Sequence, residues 1–370
     1  LDAYYGLSRE NTRYVTGFEL REGEEKVAAE SGHFLVGHDE VVVFADPRYT
    51  EQAEAQCPDA RIEVVYRDLV DRWGSLVAGL RPLKRTGTNA HPVRRLAVEA
   101  AFMSHATWSR LADAAPGVEL VPVEGWVEAD RAVKEPSEVE RMAAASAVAD
   151  AALERVVPTM RPGVSEAELA LQLEWEIRTS GAEGLAFWPT CLSGPRAALP
   201  HGAAGARTLR LGEVVLFDFG AQVAGYRSDM TRTLFVGEPR REELEVYSLV
   251  SRAQEEAMEV LRDAARSRTV PTNRSVDASA RAVIDAAGHG EHFGHGLGHG
   301  IGLATHELPT VSPRVAPVPL PIPTVFSVEP GVYLPGVTGV RIEDLVLFDP
   351  SAGRLELLTH FPRGVTVVGV

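Results

Sequence analysis

Val214-Val215-Leu216-Phe217-Asp218-Phe219-Gly220, followed by Tyr226-Arg227-Ser228-Asp229-Met230-Thr231-Arg232-Thr233, is the stretch from which the fold can be read. Both runs are rich in apolar and β-branched residues, and a short loop joins them, so the spacing predicts a hairpin over roughly 213–236. Each strand carries one Asp, a residue disfavoured in strands and costly to bury as an anion. With the loop centred between Val223 and Ala224, Asp218 and Asp229 stand directly opposite each other on one face, about 5 Å apart at Cβ. Like charges so placed destabilise the pair unless they share a cation. Taken alone, the hairpin also fits one strand Asp and one exposed Asp near the turn.

Further along, Phe293-Gly294-His295-Gly296-Leu297-Gly298-His299-Gly300-Ile301-Gly302-Leu303 precedes Thr305-His306-Glu307. Glycine lets the backbone approach a ligand closely, and histidine is the commonest metal ligand and proton carrier near neutral pH. A mobile Gly-rich surface loop is the plain alternative, which three histidines at this spacing disfavour. Thr324-Val325-Phe326-Ser327-Val328-Glu329-Pro330-Gly331 ends a strand-like run on Glu329. In Gly339-Val340-Arg341-Ile342-Glu343-Asp344-Leu345-Val346-Leu347-Phe348, Arg341 and Glu343 share a strand face by the period of two. Singly, Glu329 reads as a solvent-facing strand end and Glu343 as the partner of Arg341 in a surface ion pair. Together, Asp218, Asp229, His299, Glu329 and Glu343 predict a centre for two divalent ions, which can polarise a carbonyl and activate water. Oxygen ligands with one imidazole suit manganese, cobalt or zinc better than copper or iron–sulfur. Manganese is the first expectation.

Outward from these motifs, helices are expected at both ends. Ser137 with Glu140, and Ser165 with Glu168, read as capping boxes opening helices that stop near Pro158 and Gly181. Helices also fit 241–264 and 275–287. Two helix pairs, each with strands after it, hint at an internal duplication. Residues 1–125 read as a smaller α/β domain, with strands at Val41-Val42-Val43-Phe44 and at 61–65, a helix over 96–115, and a linker at 121–125. Residues 126–370 then form the second domain.

Composition excludes several classes. Acidic residues number 52 against 37 basic, a net charge of −15, so nucleic acid is not an expected partner. No run of 18 apolar residues predicts a membrane span. Two cysteines, Cys57 and Cys191, are read as reduced structural thiols. The opening Leu1-Asp2-Ala3-Tyr4-Tyr5 lacks the regions of a signal peptide, which gives a cytoplasmic expectation, and a start on Leu leaves the true N-terminus open. A homodimer is expected from the base frequency of symmetric dimers.

In order along the chain, the motifs resemble the pita-bread metallopeptidases, specifically the proline-specific branch of Xaa-Pro dipeptidase and aminopeptidase P. Asn11-Thr12-Arg13-Tyr14-Val15-Thr16-Gly17-Phe18 and Asp46-Pro47-Arg48-Tyr49 resemble that family's N-terminal domain. Glu135-Pro136-Ser137-Glu138-Val139-Glu140 resembles the opening of its catalytic domain. Ser193-Gly194-Pro195 with Leu199-Pro200-His201-Gly202 resembles its substrate-binding segment. The resemblance implies an α+β class: a C-terminal pita-bread domain of the creatinase and methionine aminopeptidase type, with the α/β domain before it.

It also implies roles. Asp218 would bind one metal, His299 and Glu329 the other, and Asp229 and Glu343 both. A hydroxide held between the ions would attack the carbonyl before proline, with Glu329 moving its proton. His306 would hydrogen-bond that carbonyl or its oxyanion, His201 would contact substrate and shuttle protons, and His295 would line the proline pocket. Arg341 would support a carboxylate and the substrate. Arg48 is a candidate partner for a dipeptide's carboxylate by charge-assisted bonds, and it tilts the reading toward a dipeptidase over an enzyme for longer peptides. The substrates are small peptides with proline second. The departure from the family pattern is the Pro-rich stretch 313–323, where a Gly turn is more usual. A methionine aminopeptidase is disfavoured by the N-terminal domain, and a creatine-hydrolysing enzyme by the complete ligand set. A non-enzymatic peptide-binding protein on the same fold is the alternative of a different class.

Overall fold

In the computed structural model the described residues are 1–20, 31–83 and 92–369. They divide into two compact units, Leu1–Ala129 and Asp130–Val370. The first unit is built on a mixed six-stranded sheet in the order Arg61–Val64, Val41–Ala45, Phe34–Val36, Ala3–Gly6, Arg95–Glu99, Glu119–Val123. Val42 and Phe44 pack with Trp73 and Val77 of helix Leu69–Gly79, while Val43 and Ala45 face Ala53 of helix Thr50–Gln56. Both faces are covered, so this strand is apolar at every position and shows no alternation.

Two expectations fail in this unit. The helix read over 96–115 is a strand, Arg95–Glu99, a short helical turn and then a helix of His105–Ala114. Leu96-Ala97-Val98 is a short run buried on both faces, which periodicity alone does not separate from helix. The linker read at 121–125 belongs mostly to strand Glu119–Val123, where Pro122 is tolerated because the strand lies at the sheet edge.

Among the described residues the second unit carries two smaller sheets, of three and two strands, and two larger ones. One runs in the order Val367–Val368, Met230–Val236, Glu213–Phe219, Thr190–Ser193. The other runs Glu307–Val311, Gly298–Gly300, Thr324–Val328, Asp344–Asp349, Arg354–Leu357. Helices Pro136–Val156 and Glu166–Thr179 back the first sheet through Leu153, Leu169, Leu173 and Ile177. Helices Arg241–Ser267 and Asn273–Ala286 back the second through Val250, Leu261, Val276 and Ile284. Each larger sheet thus has its own helix pair, which is the recurrence read in the sequence. Ser165 and Glu168 form the expected capping box. The earlier helix starts two residues sooner than expected. Pro136 takes the first helical position, and the Glu138 carboxylate accepts the Glu135 N–H at 2.8 Å.

The hairpin forms with a different register from the one expected. Ala224 and Gly225 both have positive φ, 47° and 78°, which makes a type I′ turn centred between them, with Val223 paired to Tyr226. Asp218 therefore stands opposite Thr231, not Asp229. The shift is two residues, so the face is unchanged and Asp229 sits diagonally from Asp218 on the same side. Val215, Phe217 and Phe219 face the first helix pair, while Val214 and Leu216 face the core of the second sheet. Asp218 shares the second face by alternation. The segment 339–348, read as one strand, is broken at Ile342-Glu343 into Thr338–Arg341 and Asp344–Asp349, which belong to different sheets. At the break, the Glu343 N–H donates to the Thr231 carbonyl at 3.1 Å, and Thr233 Oγ1 donates to the Arg341 carbonyl at 2.9 Å.

The turn supplies a prediction. Asn tolerates the left-handed region better than Ala, so Ala224→Asn is expected to stabilise the unit by roughly 0.5–1 kcal/mol. Ala224→Val, β-branched at positive φ, is expected to destabilise it by about 1–3 kcal/mol. Denaturant unfolding midpoints measure both, and a lower midpoint for the Asn variant contradicts the turn assignment.

Candidate metal centre

Every expected ligand sits at or beside a strand end. Asp218 lies next to last in Glu213–Phe219, and Asp229 precedes Met230–Val236. His299 is the middle residue of Gly298–Gly300, Glu329 follows Thr324–Val328, and Glu343 lies in the break described above. The glycines beside His299 have a steric cause. A Cβ on Gly298 would fall 1.9 Å from the Ser327 carbonyl oxygen, and one on Gly300 would fall 2.0 Å from that of Leu308. Only glycine lets this strand lie between its neighbours and aim the imidazole inward.

Ligand atoms of Asp229, His299 and Glu343 lie within 4.8 Å of one another. His299 Nε2 is 3.7 Å from Asp229 Oδ2 and 3.4 Å from Glu329 Oε1. Asp218 joins the group through Arg341, whose Nη2 is 2.5 Å from Asp218 Oδ2 and whose Nε is 4.0 Å from Glu329 Oε2. Arg341 is buried, so it is not the surface partner of Glu343 that the strand alone allowed. The five residues, spread over more than 120 positions, are thus gathered in one volume.

The electrostatics there are strained. Burial pushes the Asp229 carboxyl well above the usual carboxylate range, and the charges of Glu343, Asp218 and Glu329 push it further. Glu343 is raised well above its ordinary value by burial and then by Glu329 and Asp218. Burial also raises Glu329, against the pull of His295 and Arg341. His299 is lowered by burial, which keeps its imidazole neutral and fit to bind a metal. Asp229 Oδ1 and Glu343 Oε1 are buried acceptors with no hydrogen-bond donor. Unsatisfied buried oxygens amid like charges are where a cation is favoured. Ionising all four carboxylates beside one guanidinium requires added positive charge, which divalent ions would supply.

Three residues that sequence reasoning missed hold this arrangement. Thr231 Oγ1 donates to Glu343 Oε2 at 2.6 Å and accepts from Arg341 Nε at 2.9 Å. Ser327 Oγ accepts the His299 N–H at 3.0 Å and donates to Glu329 Oε1 at 3.1 Å. The Tyr333 hydroxyl accepts from Arg341 Nη1 at 2.8 Å and lies 2.9 Å from His295 Nε2. A guanidinium only donates, so the tyrosine proton goes to Nε2 and His295 Nδ1 donates to the Gly296 carbonyl, 2.7 Å away. Thr231 was within reach of sequence reasoning, since a turn set at Ala224-Gly225 puts it opposite Asp218. Ser327 and Tyr333 carried no signal before the strands were placed.

These groups lie in a cavity of about 940 Å³ within the second unit. His201 and His306 line it as exposed residues, and His295 lines it more deeply. The His306 ring is 4.2 Å from that of His299, and its pKa falls to about 4, through partial burial first and then the His299 and His201 rings. Phe187, Trp188 and Leu171 add an apolar wall. Arg48 lies in the other unit, where Nε and Nη2 pair with the two oxygens of Asp46 at 2.7 and 2.9 Å. Within the Pro-rich stretch Leu320 is buried, and its N–H donates to the Pro271 carbonyl at 3.1 Å. Cys57 and Cys191 are free and buried.

Residues 140–350 match the profile of metallopeptidase family M24, and residues 1–133 that of the creatinase/prolidase N-terminal domain. The chain belongs to metallopeptidase family M24. It is 32% identical to the uncharacterized peptidase YqhT of Bacillus subtilis (strain 168), over all of this chain and 96% of that one. Among solved structures it is similar to an Xaa-Pro dipeptidase from Bacillus anthracis, with a TM-score of 0.86 at 32% identity, covering 99% of this chain and 95% of the other. It is also similar to an X-Pro aminopeptidase from Thermotoga maritima MSB8, with a TM-score of 0.83 at 33% identity, covering 100% and 98%. The α+β class and the pita-bread architecture expected from the motifs hold, and the chain is a metallopeptidase by family. That family implies divalent metal ions, which the unsatisfied oxygens of Asp229 and Glu343 fit.

Two outcomes are expected. In the metal-free protein Asp229 and Glu343 favour their protons when folded, so stability falls as pH rises from about 4, their unfolded value, toward the raised folded values. The melting temperature of chelated protein should therefore drop as pH rises above about 4, and divalent-ion binding should release protons in calorimetry across buffers of different ionisation enthalpy. A flat melting profile with no proton release contradicts the arrangement. Thr231→Val keeps the side chain's shape and removes the hydroxyl between Glu343 and Arg341. It should weaken metal affinity about 10- to 100-fold in metal titrations of folded protein.

Proposed function

We propose that this chain hydrolyses the peptide bond before proline in small peptides, with Xaa-Pro dipeptides preferred and two divalent ions required. The observation that carries the reading is the cluster of Asp229, His299 and Glu343, within 4.8 Å and with unsatisfied oxygens, opening on a peptide-sized cavity. Asp229 and Glu343 would hold both ions, Asp218 one, and His299 with Glu329 the other. Such ions, when bound, polarise a carbonyl and lower the pKa of water. Manganese is the proposed metal, with cobalt or zinc as substitutes for the same oxygen-rich ligands.

The side chains then divide the remaining work. Glu329 has a raised affinity for protons, which suits a general base taking a proton from the attacking water. Its Oε1 accepts from Ser327 Oγ, which fixes the orientation of the carboxylate. His306, exposed to the cavity and beside His299, is placed to donate to the scissile carbonyl oxygen as it gains charge. His201 would contact substrate from the opposite rim and move protons. Tyr333 and Gly296 occupy both ring nitrogens of His295, so His295 presents its ring edge to the proline and not a titrating nitrogen. A bond before proline has no amide N–H, so the site needs no acceptor at that point. Arg341 is spent on Asp218 and Tyr333, and supports the ligands more than the substrate.

The family relatives support the choice of bond: one solved neighbour is titled an Xaa-Pro dipeptidase and another an X-Pro aminopeptidase. A second reading, cleavage of longer Xaa-Pro peptides, is favoured by the cavity, since 940 Å³ exceeds what a dipeptide fills. Arg48 stays the candidate for the carboxylate of a dipeptide, oriented by Asp46. A homodimer in the cytoplasm completes the proposal.

The test is an assay on Ala-Pro and Ala-Pro-Ala after chelation and readdition of manganese, cobalt or zinc singly. Activity should vanish on chelation and return with manganese first. Equal or faster turnover of the tripeptide overturns the dipeptide preference, and no Xaa-Pro cleavage with any metal overturns the function. Glu329→Gln should lower kcat by about 10²- to 10⁴-fold in folded protein.

A further inference from the structure

Behind the cavity sits a second charged cluster that the reaction described above does not use. Glu307 follows His306 directly, and its carboxylate turns away from the cavity into the unit's interior. Oε1 accepts from Lys134 Nζ at 2.8 Å, and Oε2 accepts from Arg131 Nη2. Lys134 Nζ also donates to the Arg131 carbonyl. The three side chains are 3, 0 and 5 % exposed for Glu307, Lys134 and Arg131 respectively. Burying three charges is expensive, and an apolar trio of similar volume would often be at least as stable. Stability alone is therefore a weak account of what the cluster does.

Its connections point elsewhere. The Glu307 carboxylate lies against the backbone of the loop that carries His306. A Cβ on Gly302 would fall 2.5 Å from Oε1, and the Ala304 N–H points at Oε2 from 3.4 Å. The loop is also tied at its cavity side, where the Arg227 N–H donates to the Gly302 carbonyl at 2.9 Å and Arg227 Nη1 donates to Thr305 Oγ1 at 2.8 Å. The Lys134 N–H donates to the Pro323 carbonyl at 2.8 Å, immediately before the strand Thr324–Val328 that leads to Glu329. One short segment, Arg131–Lys134, is thus fixed both to the loop bearing His306 and to the start of the strand bearing Glu329.

We infer that Arg131 and Lys134, acting through Glu307, are positioning residues that set His306 relative to Glu329 and the metal ligands. The inference rests on the proposed role of His306 as donor to the scissile carbonyl. Loosening the clamp lets the loop drift, and misplacing a donor by about 1 Å costs on the order of 100-fold in rate. His299 precedes the same loop, on a strand whose Gly300 pairs with Glu307, so metal affinity has to be read beside activity.

A double-mutant cycle on the metal-loaded full chain tests this, with Ala-Pro as substrate. Lys134→Met, which keeps a long buried stem and removes one cation, and Glu307→Gln are each combined with His306→Ala. Both single variants should lower kcat about 10- to 100-fold, with KM and metal affinity within about twofold of the parent. In the His306→Ala background neither should lower kcat by more than about twofold again, because there is no donor left to misplace. The inference is overturned if each variant loses the same factor with and without His306, or if weakened metal binding accounts for the loss. If His306→Ala alone retains full turnover, the role given to His306 fails and the inference falls with it, which the single variant reveals before any cycle is closed. Should Glu307→Gln not fold, Lys134→Met with Arg131 retained gives the same comparison.

Discussion

Mutual repulsion among Asp218, Asp229, Glu329 and Glu343 is the constraint around which the second unit is arranged. All four are drawn into one volume with the Arg341 guanidinium among them, and two buried oxygens are left with no donor. The chain alone does not neutralise that set. Folding energy for such an arrangement comes from the apolar layers on either side, where two helix pairs bury the outer faces of two sheets. The sheets hold the carboxylates together against their charge, and the divalent ions that the family implies would relieve the strain. Binding and folding are therefore thermodynamically linked at this site.

Hydroxyl groups carry much of the local order. Thr231, Ser327 and Tyr333 each accept from one site residue and donate to another, so the orientation of one ligand is passed to the next. Arg341 is the hub: it touches Asp218, Thr231 and Tyr333 and reaches toward Glu329. A lysine could not replace it, because one ammonium does not present separate, fixed donors in these directions. The other histidines of the cavity are held differently. His295 has both nitrogens engaged, while His306 and His201 are open to the cavity.

The division of labour between the inner face of the hairpin and the loops around it explains why the site tolerates its own electrostatics. Strand ends supply the ligands with little freedom, and the Gly-rich strand at His299 fits only because its neighbours' carbonyls leave room for no Cβ. Away from the carboxylates the cavity is lined by loop and helix residues such as Phe187, Trp188 and Leu171, whose apolar surface offers no competing ligand atoms. Rigid strand ends thus hold the charges, and loop and helix side chains line the rest of the cavity.

By itself, the sequence determined which residues are out of place and in what order they occur. Asp in an apolar strand, glutamates at strand ends and histidines among glycines stand out because burial of a lone charge is costly wherever it happens. Helix starts at Ser165, the helix pairs and the hairpin were legible for the same reason, since capping and periodicity are local. The register of the hairpin was not, because it depends on Ala224 taking a positive φ that its side chain does not announce. Nor was the strand at Leu96-Ala97-Val98, whose burial on both faces erases the alternation that would identify it. Only the tertiary structure decided that Arg341 serves Asp218 and not Glu343, that Thr231 and Tyr333 belong to the site, and that Glu307 turns inward while His306 faces the cavity. Those are contacts between separate strands and loops, 112 residues apart for Thr231 with Glu343 and 38 for Tyr333 with His295, or choices of side-chain direction, and chain order holds no information on either until the sheets are packed.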